Sequence, residues 1–440
     1  MTDIPETNYA KLAGAHIAYQ VIGEGPPDIV LLRLAMNNIE LQWEEPRFAR
    51  FLTRLASFSR LIVFDARGLG VSDPLGEHRI PTMDDWSDDI QAVMDAAGSE
   101  RAAIVSLSAS SMRSIPFVAS HPERVSALVV VSGSARLTGT DEYGGRTREE
   151  IDELVAWATR GWGREPQPFT GEEDLLTPAQ QKWINRYRRL SASPGMAALI
   201  WSTVPDLDIR HVLDVVSVPT LVIDHEVSQG GTYIADHIRG AERVRVPGHM
   251  VNGWPYTDPD AVAAEIERFL GAEARGPVES DRILATVLFT DVVESTRGNA
   301  AVGDARWRDT LDALDRVVAD EVGRHRGRVI KFTGDGHLAT FDVPGRAIRC
   351  GVALGNRVAQ LGLTLRTGLH TGEIEVRGED IGGIAVSIAR RVCDAAEDGA
   401  VFVSSAVPPL VAGSPIDFDE RGEHELKGVP GRWVLYSVKS

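Results

Sequence analysis

The chain has 440 residues, of which 43% are hydrophobic and 25% are charged, and it carries a formal net charge of −17. This length and composition predict two or three globular domains with ample apolar cores. The excess of acidic residues argues against a general affinity for nucleic acid or for an anionic membrane, so we expect neither as a partner.

The two cysteines, Cys350 and Cys393, both lie in segments with helical periodicity. We interpret them as reduced core thiols, because disulfides are rare in cytosolic proteins. Residues 1–7 contain neither the basic nor the apolar region of a signal peptide. No apolar run approaches the roughly 18 residues that would span a bilayer. These features predict a cytoplasmic protein.

Buried strands alternate with helical segments through the first half of the chain. Residues 14–33 are predicted to form a hairpin, and residues 60–65 a buried strand. A helix over 83–97 and strands over 102–106 and 127–131 follow, with a second helix between those two strands. Such alternation is typical of a parallel, doubly wound sheet.

The first half resembles an α/β-hydrolase. The resemblance rests on four segments: Phe-Asp-Ala-Arg-Gly-Leu-Gly-Val-Ser-Asp (64–73), the strand–serine–helix turn at Ser108, His-Pro-Glu-Arg-Val (121–125) and Val-Pro-Thr-Leu-Val-Ile (218–223). It predicts a hydrolase-like domain over 1–270. A charged, tryptophan-containing insertion at about 140–205 would lie over the pocket as a cap. The polar segment 271–282 contains Gly and Pro and is predicted to be a linker to a second domain, 283–440.

The catalytic positions of that family are altered here. The Gly-x-Ser-x-Gly elbow reads Ser-Leu-Ser-Ala-Ser around Ser108, so serine replaces both glycines. The resemblance implies Ser108 as nucleophile and His249 as base, and it leaves the acid open between Asp224 and Glu226. The His-Gly that helps to shape the oxyanion site is absent. We expect a degenerate triad in a domain that senses an unknown small-molecule ligand, docks or regulates, with a working esterase as the alternative.

In the second half, two carboxylates are predicted to lie at the ends of neighbouring stiff elements. An apolar strand beginning at Ala285 ends at Asp291, and a helix begins at Asp304. The hairpin over 329–341 carries Asp335 in its Thr-Gly-Asp-Gly turn. Neighbouring strands would bring Asp291 and Asp335 to one pair of hard cations, an arrangement that suits attack on phosphorus.

A Gly-rich loop and a helix follow later in the second half. The segment 378–383 is predicted to be a loop that enters a helix over 384–396, with Ile384, Ile388 and Val392 on its buried face.

Five motifs resemble the catalytic domain of class III nucleotidyl cyclases over about residues 282–438. In chain order they are Phe-Thr-Asp-Val-Val-Glu-Ser-Thr (289–296), Lys-Phe-Thr-Gly-Asp-Gly (331–336), Gly-Leu-His-Thr-Gly-Glu (368–373), Asp-Ile-Gly-Gly-Ile-Ala-Val-Ser-Ile-Ala-Arg-Arg (380–391) and Glu-Leu-Lys-Gly-Val-Pro-Gly (425–431). Any one alone is common. Together they predict an α+β ferredoxin-like domain that converts ATP to 3′,5′-cyclic AMP and pyrophosphate.

The resemblance implies a role for each matching residue. Asp291 and Asp335 would hold two ions, Mg²⁺ or Mn²⁺, per site. Lys331 and Asp380 would select the purine, because lysine donates to a ring nitrogen of adenine while the carboxylate accepts from its exocyclic amine. Arg391 would stabilise charge that develops on the phosphate.

Further substrate contacts are implied at Lys427, Phe289, Thr290 and Thr296. Ser387 stands where the family commonly has an asparagine that positions the ribose. Because serine is shorter and has a single donor, we expect a loss of about 1–3 kcal/mol in the transition state, roughly tenfold to a hundredfold in rate. The sequence therefore predicts a slow cyclase, or one that uses a water molecule in place of the asparagine.

In the family, the site forms between two chains. One subunit would supply Asp291 and Asp335, and the other Lys331, Asp380 and Arg391. Since this chain carries both sets, a head-to-tail homodimer with two equivalent sites is implied. The alternative is a nucleotide-binding pseudo-cyclase, with Ser387 as its sign of decay.

Overall fold

The computed structural model describes residues 4–12, 14–33, 37–75, 81–140, 143–225, 230–251, 253–273, 282–293, 304–332, 336–378 and 380–439. The chain divides into two compact units, residues 1–279 and 280–440. Within the described ranges, every helix is too short or too polar to cross a lipid bilayer.

The first unit contains both strands and helices. The strands are β1 (Asn8–Leu12), β2 (Ala15–Ile22), β3 (Asp28–Leu32), β4 (Arg60–Phe64), β5 (Ala102–Leu107), β6 (Val125–Val131), β7 (Thr220–His225), β8 (Glu242–Val246), β9 (Met250–Val251) and β10 (Trp254–Pro255). The helices are α1 (Pro46–Ala56), α2 (Met83–Ala96), α3 (Ser111–Ser120), α4 (Arg148–Arg160), α5 (Glu172–Leu175), α6 (Pro178–Ser191), α7 (Pro194–Thr203), α8 (Gly230–His237) and α9 (Pro259–Glu273).

The main sheet of the first unit has the order β1-β2-β4-β3-β5-β6-β7-β8. From β4 to β8 neighbouring strands are parallel, and β5 is buried along its whole length. The predicted hairpin over 14–33 is wrong, because β4 lies between β2 and β3, and β2 instead pairs antiparallel with β1.

Helices α4 to α7 lie in the insertion between β6 and β7. The first helix begins with a capping box, in which Thr147 and Glu150 satisfy each other's backbone N–H groups, and Thr177 and Gln180 do the same for α6. Tyr187 of α6 reaches the sheet, where its hydroxyl accepts a hydrogen bond from Arg33 Nη1 at 2.7 Å. The inserted helices are therefore tied to the end of β3.

The second unit begins with β11 (Arg282–Val292) and ends with β18. Its other elements are α10 (Asp304–Arg324), β12 (Arg328–Phe332), β13 (Gly336–Phe341), α11 (Pro344–Val358), β14 (Leu365–Arg377), β15 (Asp380–Gly382), α12 (Ile384–Ala395), β16 (Val401–Ser404), β17 (Phe418–Glu425) and β18 (Arg432–Val438).

The sheet of the second unit has the order β12-β13-β11-β14-β16-β18-β17, with β15 added to β14. The first four of these strands are mutually antiparallel and follow the ferredoxin-like order 2-3-1-4. Helices α10 and α11 share a core with one face of the sheet, and α12 packs on a separate apolar cluster. Both cysteines are buried and free, and burial raises the pKa of each thiol to about 12.

Two local predictions for the second unit need correction. The segment predicted as a loop contains the short strand β15, which folds back on β14 with Arg377 opposite Asp380. Ile384 is 57% exposed, although it was predicted to be on a buried face. It occupies the first position of α12, whereas the buried residues of the helix are Ala385, Ile388, Ala389, Val392 and Cys393.

Candidate functional site

Ser108 lies in the sharp turn between β5 and α3, as an elbow serine would. Its φ angle is +56°, in the left-handed region that side chains other than glycine rarely adopt. Its side chain is partly exposed, while Leu107 and Ala109 on either side are buried. The backbone of an elbow is therefore present, even though both glycines of the motif are replaced.

The serines at the two glycine positions are held by each other. Ser106 Oγ and Ser110 Oγ lie 2.9 Å apart, and Ser114 donates to Ser106 Oγ at 2.8 Å. The Ser110 hydroxyl also lies 3.0 Å from the Leu32 carbonyl oxygen. All three side chains are at most 1% exposed. Because buried hydroxyls need partners, this network explains how the turn accommodates serine in place of glycine.

The remaining triad candidates have other contacts. Asp224 is fully buried and its Oδ2 lies 2.9 Å from Arg243 Nε. His249 is exposed, and its backbone N–H donates to the Thr257 hydroxyl. Glu226 lies outside the described residues. The assignment of a triad acid therefore stays a prediction.

Sequence reasoning missed a second serine–histidine pair, one strand along from Ser108. Ser132 follows β6 with a φ of +48°, and its Oγ lies 2.7 Å from His225 Nδ1. His225 is buried, which lowers the pKa of its imidazole, with a smaller contribution from His249 nearby. A histidine at the end of β7 was visible in the sequence, but nothing there indicated its partner.

In the second unit, the register of β11 and β13 places Asp291 opposite Gly336. Gly336 directly follows Asp335, which lies outside the described residues, as does Thr296. The Asp291 side chain is 28% exposed, so its carboxylate is accessible at the end of a buried strand. Carboxylate oxygens are ligands that Mg²⁺ and Mn²⁺ prefer. Asp291 therefore fits one half of the predicted donor pair, although the described ranges hold no group of three or more metal-ligating side chains.

The two predicted purine-selecting residues are in direct contact. Lys331 Nζ lies 2.7 Å from Asp380 Oδ2, and the two side chains are 45% and 54% exposed. The hydrogen bond from Lys331 lowers the pKa of the Asp380 carboxyl, which remains ionised and able to accept hydrogen bonds. Phe332, next to Lys331, is 48% exposed.

Arg391 lies on α12 with its side chain directed towards the loop after β17. Its Nε donates to the Lys427 carbonyl oxygen at 2.9 Å, and its Nη1 lies 2.8 Å from Asp394 Oδ2. Ser387, four residues earlier, is exposed. The structure thus brings Arg391 and the Lys427 backbone together.

The residue next to Arg391 contacts the predicted metal ligand. Arg390 Nη2 lies 3.6 Å from Asp291 Oδ1, and the guanidinium lies 5.7 Å from the centre of the Phe289 ring. The sequence carried no signal for this contact, because two adjacent arginines on a helix look alike until their directions are known.

Thr290, another predicted substrate residue, is instead fully buried in a polar chain. Its Oγ1 lies 3.0 Å from His337 Nδ1, while His337 Nε2 lies 2.9 Å from Asp315 Oδ1. His337 is also fully buried. This chain links β11 to β13 and α10 immediately beside Asp291.

Comparisons with known proteins cover both units. Residues 37–234 match the family model of the alpha/beta hydrolase fold. Over 164 residues the chain is 33% identical to "Putative adenylate cyclase 3" of Rhizobium meliloti (strain 1021), a match covering 34% of this chain and 27% of that protein. Over 205 residues it is 27% identical to strigolactone esterase D14 of Arabidopsis thaliana, covering 43% and 76% of the two chains.

A bromoperoxidase structure from Bacillus anthracis aligns with a TM-score of 0.51 and 16% identity, covering 62% of this chain and 100% of that one. At this identity the likeness concerns the fold alone. With the strand orders described above, these matches confirm both predicted folds. The chain covers 27% of the length of the cyclase relative, so the match concerns only part of that protein.

Proposed function

Because the chain joins an α/β-hydrolase fold to a class III nucleotidyl cyclase fold, we propose that it is an adenylate cyclase with a regulatory or ligand-sensing first domain. The catalytic domain would be residues 283–440, and the regulatory domain residues 1–270, with 271–282 as linker. The reaction is the conversion of ATP to 3′,5′-cyclic AMP and pyrophosphate, in the cytoplasm.

The contact between Lys331 and Asp380 is the observation that carries this proposal. The pair combines a donor and an acceptor 2.7 Å apart at an exposed position, as recognition of an adenine edge requires. Guanine would present a carbonyl oxygen to the ionised Asp380, and two acceptors repel each other. The pair therefore favours ATP over GTP.

Other residues of the second unit have assigned roles. Asp291 and Asp335 would hold the two ions, which supply charge stabilisation at the triphosphate and activation of the ribose 3′-hydroxyl. Arg391 would stabilise developing charge on the phosphate, and Lys427, Phe289, Thr290 and Thr296 would support substrate binding. Since Thr290 is fully buried and bonded to His337, its support is best explained as fixing the strand that carries Asp291.

A homodimer is part of the proposal. Each site would take Asp291 and Asp335 from one chain and Lys331, Asp380 and Arg391 from its partner. The exposed Phe332 and Ile384, which flank the lysine–aspartate pair in sequence, are apolar side chains that such a contact would cover.

The test is production of cyclic AMP by purified full-length protein with ATP and Mn²⁺ or Mg²⁺. We expect production that is abolished in Asp291→Ala and reduced in Lys331→Ala, and a matched control, Lys439→Ala, should behave as wild type. Greater turnover of GTP than of ATP would refute the purine assignment. Binding of ATP without turnover by an intact dimer would favour the pseudo-cyclase.

A second candidate activity, ester hydrolysis by the first unit, is favoured by one observation. Ser108 keeps the strained backbone of a nucleophile elbow. Hydrolysis of a short-chain nitrophenyl ester that is lost in Ser108→Ala would support it. Activity that persists in Ser108→Ala would exclude Ser108 as its nucleophile.

A further inference from the structure

Arg390 places a permanent positive charge beside the carboxylate that is proposed to hold a divalent cation. Its Nη2 lies 3.6 Å from Asp291 Oδ1, and its Nε lies 3.1 Å from Asp394 Oδ1. Asp394 thus anchors the base of the guanidinium, while the ring of Phe289 lies 5.7 Å from its centre. Asp394 and the Phe289 ring therefore hold the guanidinium in its position beside Asp291.

The neighbouring Arg391 has different partners, although it also contacts Asp394. Arg391 contacts Asp394 Oδ2 and the Lys427 carbonyl oxygen. A second arginine, Arg366, is paired with Asp291 in the strand register, but its Nη2 lies 2.8 Å from Asp398. Arg390, by contrast, forms an ion pair with Asp291.

We propose that Arg390 is a positioning residue that competes with a divalent cation for Asp291 and transfers to the triphosphate when the nucleotide enters. This inference rests on the proposed cyclase function and extends it. A guanidinium binds phosphate oxygens through parallel hydrogen bonds at least as well as it binds a carboxylate. Nucleotide would therefore draw Arg390 away from Asp291, and cation binding and nucleotide binding become coupled.

The size of the competition follows from the charges. A unit charge about 6 Å from a divalent ion lowers the affinity for that ion about tenfold even at the dielectric constant of water. The side chains are only 37% and 28% exposed, so screening is incomplete and the estimate is conservative.

The test is Mn²⁺ binding to the full-length protein without nucleotide, measured from the electron paramagnetic resonance signal of free Mn²⁺. We expect Arg390→Gln to bind Mn²⁺ about tenfold more tightly than wild type, and Arg390→Lys, which keeps the charge, to stay close to wild type. Arg432→Gln, which removes a surface arginine elsewhere in the unit, is the matched control. Addition of a non-hydrolysable ATP analogue should tighten Mn²⁺ binding more in wild type than in Arg390→Gln.

Unchanged or weaker Mn²⁺ binding in Arg390→Gln would overturn the inference. If that result accompanied Asp291-dependent cyclic AMP production, the inference would fail while the cyclase function stood. Tighter binding in Arg390→Gln that is lost on adding Asp291→Ala would support the inference, even in a protein that makes no cyclic AMP.

Discussion

Replacing Ser108 by glycine is expected to stabilise the first unit. Ser108 has a φ of +56°, and the left-handed conformation costs a residue with a side chain about 1–2 kcal/mol. Glycine removes that cost but makes the unfolded chain more flexible, which offsets about 0.4–1 kcal/mol. The difference predicts a net gain of about 0.5–1 kcal/mol in the free energy of unfolding.

Two further variants isolate the backbone strain. Ser108→Ala keeps the Cβ atom and therefore the strain, so it should show none of the gain. Ser132→Gly relieves a similar strain, since Ser132 has a φ of +48°. It also removes the hydroxyl that lies 2.7 Å from His225 Nδ1, and the loss of about 1 kcal/mol should cancel the relief.

The assay is differential scanning calorimetry of the full-length variants at one pH and scan rate. For a unit of this size, the expected gain raises the transition midpoint by about 1–3 °C. We expect Ser108→Gly to melt above both wild type and Ser108→Ala. A midpoint of Ser108→Gly at or below that of Ser108→Ala would refute the reasoning from strain.

Three further predictions concern other positions. Ser387→Asn should raise the initial rate of cyclic AMP production at least about tenfold by restoring an orienting contact; an unchanged rate would count against that role. His337→Leu should leave the buried Thr290 hydroxyl unpaired and speed hydrogen exchange in β11 about 30-fold, corresponding to about 2 kcal/mol. Adding Thr290→Val to that variant should recover most of the protection from exchange. Additive effects of the two substitutions would contradict the pairing. Burial lowers the pKa of His225, so the folded state binds this proton less well than the unfolded state, and stability falls as pH drops below 6.5. Calorimetry between pH 7.5 and pH 5.5 should therefore show a smaller loss of stability in His225→Gln than in wild type.

Local sequence patterns predicted most of the elements, because burial and helical spacing are local properties. The order of strands within a sheet is not local. Residues 14–33 contain two strands in succession, so a hairpin was a reasonable prediction. In the fold, β4 arrives through a helical crossover and inserts between them. Adjacency in sequence therefore did not give adjacency in the sheet.

The candidate site was partly predictable for a similar reason. The motifs indicated Asp291, Lys331 and Asp380 by residue type and spacing, and the structure places Lys331 against Asp380. The motif containing Arg391 gave no reason to consider Arg390, since the direction of each side chain depends on how α12 packs on the sheet. Ile384 was misplaced because helical spacing gives the approximate direction of a buried face but not its edges, and the buried face of α12 begins at the next residue, Ala385.

The two units differ in how easily their polar positions can exchange partners for a ligand. Asp224 is fully buried against Arg243, and breaking a buried pair costs about 3–5 kcal/mol. Lys331 and Asp380 are about half exposed, and an exposed pair contributes only about 0–1 kcal/mol. A nucleotide can therefore replace the contact between Lys331 and Asp380 at little cost, whereas the contact between Asp224 and Arg243 is costly to break. This difference supports the proposed recognition of a nucleotide by the second unit.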